Sequence, residues 1–269
     1  MWSSVLPLLV TISPALLFLP DHTNTQDEHW QDYKYGRQQD SEVPDKKSFC
    51  SWKCLLFTLQ WPGAFCQSLD EPSLCKIPQN VNNWTIHGLW PLRVRDCCKC
   101  WPMFKSDVQD LEAELQEHWP SLLQSHPSFL FWREEWIKHG VCAACVEGMN
   151  SPLRYFQLNL KLRAQFDIHK LLEVADISPS CERPYKLSEV HQALAPLLGE
   201  KLQIQCVTDD QEREVWFQVK IPLSHNLTVG CDHHVDADPP HPPHGHPCHP
   251  QTPFYYFPID HQQPQTPCG

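Results

Sequence analysis

Apolar residues alternate with their neighbours over Leu55, Phe57, Leu59 and Trp61 until Pro62 and Gly63 halt the run, which predicts a strand. Val215, Phe217, Val219 and Ile221 keep the same two-residue period, and Leu202, Ile204 and Cys206 supply a hairpin partner across an Asp209–Asp210 turn. Trp84 to Trp90 (WTIHGLW) predicts a further strand or strand end. Three segments follow the helical period instead. Ser106 caps a helix in which Val108, Leu111 and Leu115 share a face, ended by Pro120. Ser151 caps a second, carrying Leu153, Phe156 and Leu160. Ser188 starts a third, with Val190, Leu194 and Leu197 inward and Gly199 as terminator. Strands and helices mix without a regular βαβ rhythm, so the expected class is α+β, an antiparallel sheet packed with several helices.

The ends read differently. Val5 to Leu19 is apolar and broken by Pro7 and Pro14, which suits a signal peptide over residues 1–20 better than a retained anchor. Residues 21–47 are polar and poor in aliphatics, the texture of a mobile arm. A folded domain is expected over 48–260, interrupted by a His- and Pro-rich insertion at 231–250 and followed by a tail at 261–269. No later segment is long and apolar enough to cross a bilayer, so no membrane contact is expected once the leader is removed.

Composition narrows the compartment. Fourteen cysteines in 269 residues point to an oxidising, secretory route, outside the cell or in the lysosome. Two N-x-S/T sequons, at Asn83 and Asn226, fit glycosylation on that route. A net charge of −11 argues against a protein that coats nucleic acid non-specifically, though one small basic cleft remains compatible with it. Cys97, Cys98 and Cys100, with Cys142 and Cys145, have spacings that bind zinc in a cytosolic chain. In a secretory one, disulfides are favoured. His241, His244, His246 and His249 read as a solvated, Pro-spaced stretch before they read as a metal site.

Two segments carry the chemistry: Trp84-Thr85-Ile86-His87-Gly88-Leu89-Trp90-Pro91, and Phe131 to Cys142 (FWREEWIKHGVC). If the second is helical, Phe131, Glu135 and His139 fall at i, i+4 and i+8 on one face. Trp132 and Trp136 form an anchoring stripe beside them, Lys138 flanks the polar face, and Gly140 ends the helix with His139 at its lip. By itself this segment supports two readings equally. Either it lines a cleft, or His139 merely meets the helix dipole while Glu135 pairs with Lys138.

Together the two segments closely resemble the active-site signatures of the ribonuclease T2 family, W-T-I-H-G-L-W-P and F-W-x-H-E-W-x-K-H-G-T-C. The first is matched in full, and the second at Phe131, Trp132, Glu135, Trp136, Lys138, His139, Gly140 and Cys142. Leu59 to Gly63 is similar to the family's first core strand, and the likeness runs from about Cys54 to about Pro258. The resemblance implies a disulfide-rich endoribonuclease that cuts single-stranded RNA, not DNA, as a monomer. No metal or cofactor is implied, and the reaction passes through a 2′,3′-cyclic phosphate. It implies His139 as base and His87 as acid, Glu135 and Lys138 on the phosphoryl oxygen, and Trp90, Phe131 and Gln60 against the substrate. It also implies the bridges Cys66–Cys75, Cys97–Cys142 and Cys206–Cys248, and gives Cys231 a role in a further bridge whose mate is missing near Pro222.

Two positions depart from the pattern. Leu92 stands where many members carry an Asp, which puts any base preference resting on that carboxylate in doubt. Glu134 stands where a histidine helps bind the substrate phosphate. A carboxylate there repels the phosphate, so the expected activity is reduced. The alternative is a catalytically impaired secreted relative with an RNA-binding, storage or signalling role.

Overall fold

The computed structural model describes residues 51–231 and 245–269, apart from positions 70, 72, 73, 96 and 99. The expected leader, the polar arm, Cys50, His241 and His244 lie outside the described residues.

The core is an antiparallel sheet ordered β2-β1-β5-β4-β6. Its strands are β1 (Cys54–Gln60), β2 (Thr85–Pro91), β4 (Gln203–Thr208), β5 (Glu214–Ser224) and the two-residue β6 (His246–Pro247). A short β3 (Pro184–Tyr185) pairs with β7 (Phe254–Tyr255), and β7 joins β5 in parallel. Every residue of β1 is buried, because the sheet is covered on both faces. Its alternation therefore separates apolar Leu55, Phe57 and Leu59 from a second set, Thr58 and Gln60, that faces the site.

β2 is an edge strand, and helices cover its edge. Trp119 Nε1 donates to the His87 carbonyl at 3.1 Å, and Tyr155 Oη donates to the Leu89 carbonyl at 2.8 Å. Arg163 Nε donates to the Trp84 carbonyl at 2.9 Å. Tyr155 and Arg163 come from α4 (Pro152–Gln165), and Trp119 follows α2 (Glu112–His118); α1 is the single turn Pro62–Phe65. Satisfying an edge with side-chain donors in this way fixes the strand and blocks further pairing.

Ser151 caps α4, its Oγ accepting from the Arg154 amide at 3.2 Å. The first expected helix begins otherwise. Lys105–Leu111 is a 3₁₀ segment with Phe104 as its N-cap, because Asp107 Oδ2 accepts the Phe104 amide at 2.7 Å and leaves Ser106 inside the turn. α5 spans Ile168–Val174, and α6 runs Leu187–Leu198 from a Lys186 cap whose amide donates to Glu189. The inward face of α6 is Val190, Leu194 and Leu198 at four-residue steps, so Leu197 turns out to solvent, 39% exposed. Gly199 ends α6 at φ +83°, the conformation that favours glycine.

Six disulfides join described residues. Cys66–Cys75, Cys97–Cys142 and Cys206–Cys248 are accompanied by Cys54–Cys231, Cys98–Cys100 and Cys181–Cys268. The mate of Cys231 is thus Cys54, on β1 rather than near Pro222, because β1 and β5 lie side by side with Cys54 opposite Ser224. Cys268 and the contacts of His261 with the Ile77 carbonyl and Asn82 tie the last residues to the domain. Within the His/Pro-rich stretch, His246 pairs on β4 and bonds Glu214 at 2.7 Å, while Cys248 is buried.

Candidate active site

His87 owes its position to an irregularity. Thr58 pairs with Gly88 and Leu59 with Ile86, so His87 is the extra residue of a β-bulge in β2. A bulge bends the strand and re-aims one side chain. Its backbone is held by Trp119, and its ring meets Gln218 of β5, whose Nε2 lies 2.7 Å from His87 Nδ1.

The second wall is α3 (Ser128–Glu135), which passes into a π turn (Trp136–Gly140) and a last turn at Val141–Ala143. Trp132 Nε1 donates to the Trp119 carbonyl at 2.7 Å and Trp136 Nε1 to the Trp101 carbonyl at 3.0 Å, which fixes the helix against the core. Gly140 does not end the helix. The chain runs on through it, and a Cβ there would strike the Trp136 ring, so glycine is required by packing. The Cys97–Cys142 bridge and a 2.9 Å bond from Trp52 Nε1 to the Cys142 carbonyl hold the far end. Five-residue turns of this kind recur at functional sites because they rotate the following side chains relative to a regular helix.

Trp90 joins the two walls. Its Nε1 donates to Glu135 Oε2 at 2.8 Å, passing over Gly88, where a Cβ would collide with both partners. Lys138 pairs with Glu134, at 3.6 Å, while Glu135 is held by Trp90. The Trp90 ring lies 5.0 Å from the His87 ring and 5.4 Å from that of His139, and Phe131 lies 6.2 Å from His87. His87, Trp90, Phe131, Glu135 and His139 are thus brought into one cluster. Lys138, one residue before His139, is half-exposed, with its Nζ 3.6 Å from Glu134 Oε2.

The electrostatics are uneven. Glu135 is buried, and burial pushes its carboxyl up to about 7, against the lowering effect of the Trp90 bond and Lys138. Below neutrality it is an uncharged donor. Burial pulls His139 down to about 3, helped by positive charge at His87, Lys138 and Arg95. Its Nδ1 is buried with no hydrogen-bond partner among the described residues. A neutral imidazole, a neutral carboxylic acid and an exposed ammonium can together accept a proton and receive an anion.

Glu134 pairs with two basic side chains. Its carboxylate is half-exposed and sits between Lys138 and His126, whose Nε2 is 3.6 Å from Oε1. Neither His126 nor Gln218 is visible from sequence: Gln218 is 131 residues from His87, and only strand register brings them together. Gln60 lies directly opposite Gln218 and Thr85, buried, with its Oε1 unpartnered among the described residues. Asn83 is half-buried, with Oδ1 taken by the Trp84 amide at 2.7 Å, whereas Asn226 is exposed in a turn.

Among the described residues no cluster of His, Cys, Asp or Glu is placed to hold a metal ion, and no helix is long and apolar enough to cross a membrane. A family model described as the Ribonuclease T2 family matches residues 52–235. The chain is 36% identical over 165 residues to ribonuclease T2 of Homo sapiens, covering 61% of this chain and 62% of that protein. It is 31% identical over 217 residues to ribonuclease Oy of Magallana gigas, covering 77% of this chain and 97% of that protein. The match thus spans about three-fifths of the human protein's length. Human RNase T2 is similar in structure, with a TM-score of 0.64 and 28% identity over 77% of this chain and 99% of that one. RNase NT in complex with 5′-AMP gives 0.63 and 26%, over 77% and 98%.

Proposed function

The chain belongs to the ribonuclease T2 family, and from that premise we propose that it is a secreted or lysosomal endoribonuclease of single-stranded RNA. His139 takes the proton of the 2′-hydroxyl as that oxygen attacks phosphorus. His87 gives a proton to the leaving 5′-oxygen, and a 2′,3′-cyclic phosphate results. Protonated Glu135 and Lys138 donate to the phosphoryl oxygens as charge builds on them. Bases stack on Trp90 and Phe131, each stack being worth about 1–3 kcal/mol, while Gln60 lines the floor.

The observation that carries this reading is the arrangement around Trp90. One indole holds Glu135 by its N–H and lies within 5.0 and 5.4 Å of the two imidazole rings. A solved neighbour is in complex with 5′-AMP, which supports a nucleotide as the kind of ligand this chain takes. Purified protein incubated with poly(U) and poly(A) from pH 4 to 8 in EDTA is expected to yield cyclic-phosphate ends that His139→Ala abolishes. The absence of products across that range refutes the activity and leaves the binding, storage or signalling alternative.

The activity is reduced because Glu134 engages Lys138. An ammonium shared with a carboxylate 3.6 Å away is a weaker partner for phosphate. Glu134→His is expected to raise the cleavage rate of homopolymeric RNA at least tenfold. An unchanged rate removes Glu134 as the cause.

A further inference from the structure

The contact between Gln218 and His87 has a chemical consequence that family membership does not supply. An amide nitrogen is always a donor, so Gln218 Nε2 at 2.7 Å makes Nδ1 of His87 an acceptor and puts the single proton of the resting ring on Nε2. During cleavage the 2′-oxygen bonds to phosphorus, His139 takes its proton, the bond from phosphorus to the 5′-oxygen breaks, and that oxygen takes the Nε2 proton of doubly protonated His87. The ring is then left with its remaining proton on Nδ1. Gln218 in its resting orientation opposes that state, because two N–H groups would face each other.

We propose that Gln218 is a positioning residue whose amide follows the proton on His87. Nε2 holds the resting ring, and Oε1 accepts from Nδ1 once the ring has taken its second proton, the amide turning over between the two. This rests on the proposed ribonuclease reaction for its timing, and on the structure alone for the contact. Three observations support it. Gln218 is buried at 2% exposure, so bulk water does not replace it as the ring's partner. Its backbone is locked in the β1–β5 and β4–β5 ladders, so turning is confined to the side chain. Gln60, its neighbour across the β1–β5 register, offers a buried Oε1 without a partner among the described residues, an acceptor for the N–H that leaves His87.

The side-chain type matters as much as the place. A carboxylate at this position holds a doubly protonated imidazole by charge and retains its proton. A neutral amide orients both forms of the ring without that charge, so the proton is released to the leaving oxygen.

The test is a long-range proton–nitrogen NMR spectrum of the full chain, with the His87 signals assigned by their loss in His87→Ala. At a pH where the ring carries one proton, wild type is expected to show it on Nε2. Gln218→Met is expected to raise the Nδ1–H form, and to lower kcat at least tenfold with KM within twofold. Gln218→Glu, nearly isosteric, is expected to put the proton on Nδ1 and also to lower kcat. A wild-type ring protonated on Nδ1, or a tautomer and kcat unchanged in both variants, overturns the proposal. If wild type cuts no RNA yet the tautomer responds to Gln218, the positioning role stands and the proposed reaction falls.

Discussion

The two histidines of the cleft are carried by very different structures. His87 sits on a bulged edge strand whose carbonyls are tied by Trp119 and Tyr155, and its Nδ1 has a side-chain partner in Gln218. His139 sits on a π turn, part-buried, with its Nδ1 buried and unpartnered among the described residues and with His87, Lys138 and Arg95 around it. One ring is therefore supported at Nδ1 by a side chain, and the other is held in its neutral form. Two chemically identical side chains are given unlike surroundings by the backbone that presents them, and the proposed reaction uses that difference by assigning His87 as the acid and His139 as the base.

Removing either ring tests this contrast hardest. His87→Ala and His139→Ala are each expected to lower kcat by about 10²–10⁴. Because the proposed reaction uses both in one step, the double variant should be little worse than the poorer single, measured on a dinucleotide substrate. A single variant that keeps its rate breaks the assignment.

Next comes stability against pH. Glu135 is raised from 4.5 to about 7 on folding, so its contribution is complete below pH 4.5 and lost as pH rises through about 7. The loss amounts to about 3 kcal/mol. His139 is lowered from 6.5 to about 3, so its contribution is complete above pH 6.5 and lost as pH falls toward 3. The two trade against each other between pH 4.5 and 6.5. Urea unfolding of Glu135→Gln should lack the decline toward neutral pH and keep the acid loss. A decline that persists in the variant removes Glu135 as its source.

Gly88→Ala forces a Cβ into the Trp90–Glu135 bond. A loss of about 2 kcal/mol, or about 4–8 °C in Tm, is expected by calorimetry. Gly148→Ala, with open space around it, should leave Tm unchanged. Equal shifts in both would mean that the close approach at Gly88 is not what constrains it. The smallest effect is that of Trp90→Phe, which keeps a ring between the histidines and loses the N–H. It should lower kcat/KM about tenfold, roughly 1.4 kcal/mol.

Much of this was legible in the chain because it is local. Strands announce themselves by period, as Phe57 and Val219 do, and each motif segment is a short continuous stretch of chain. What was not legible depends on register and through-space packing. The bulge at His87 exists only because β1 pairs across a shifted register. Cys54 meets Cys231 only because β1 lies beside β5. Gly140 looked like a helix end because glycine usually ends helices, yet here it yields to the Trp136 ring. Glu134 is expected from sequence to repel the phosphate, and only packing reveals that its carboxylate is shared by Lys138 and His126.

The most direct measurement is a nitrogen-15 titration of the His139 ring, without ligand and then with inorganic phosphate. The prediction is a ring that stays neutral down to about pH 4 in the empty cleft, and whose midpoint rises when the anion offsets the surrounding positive charge. A midpoint near the ordinary 6.5 that phosphate does not move would contradict the unequal roles assigned to His87 and His139.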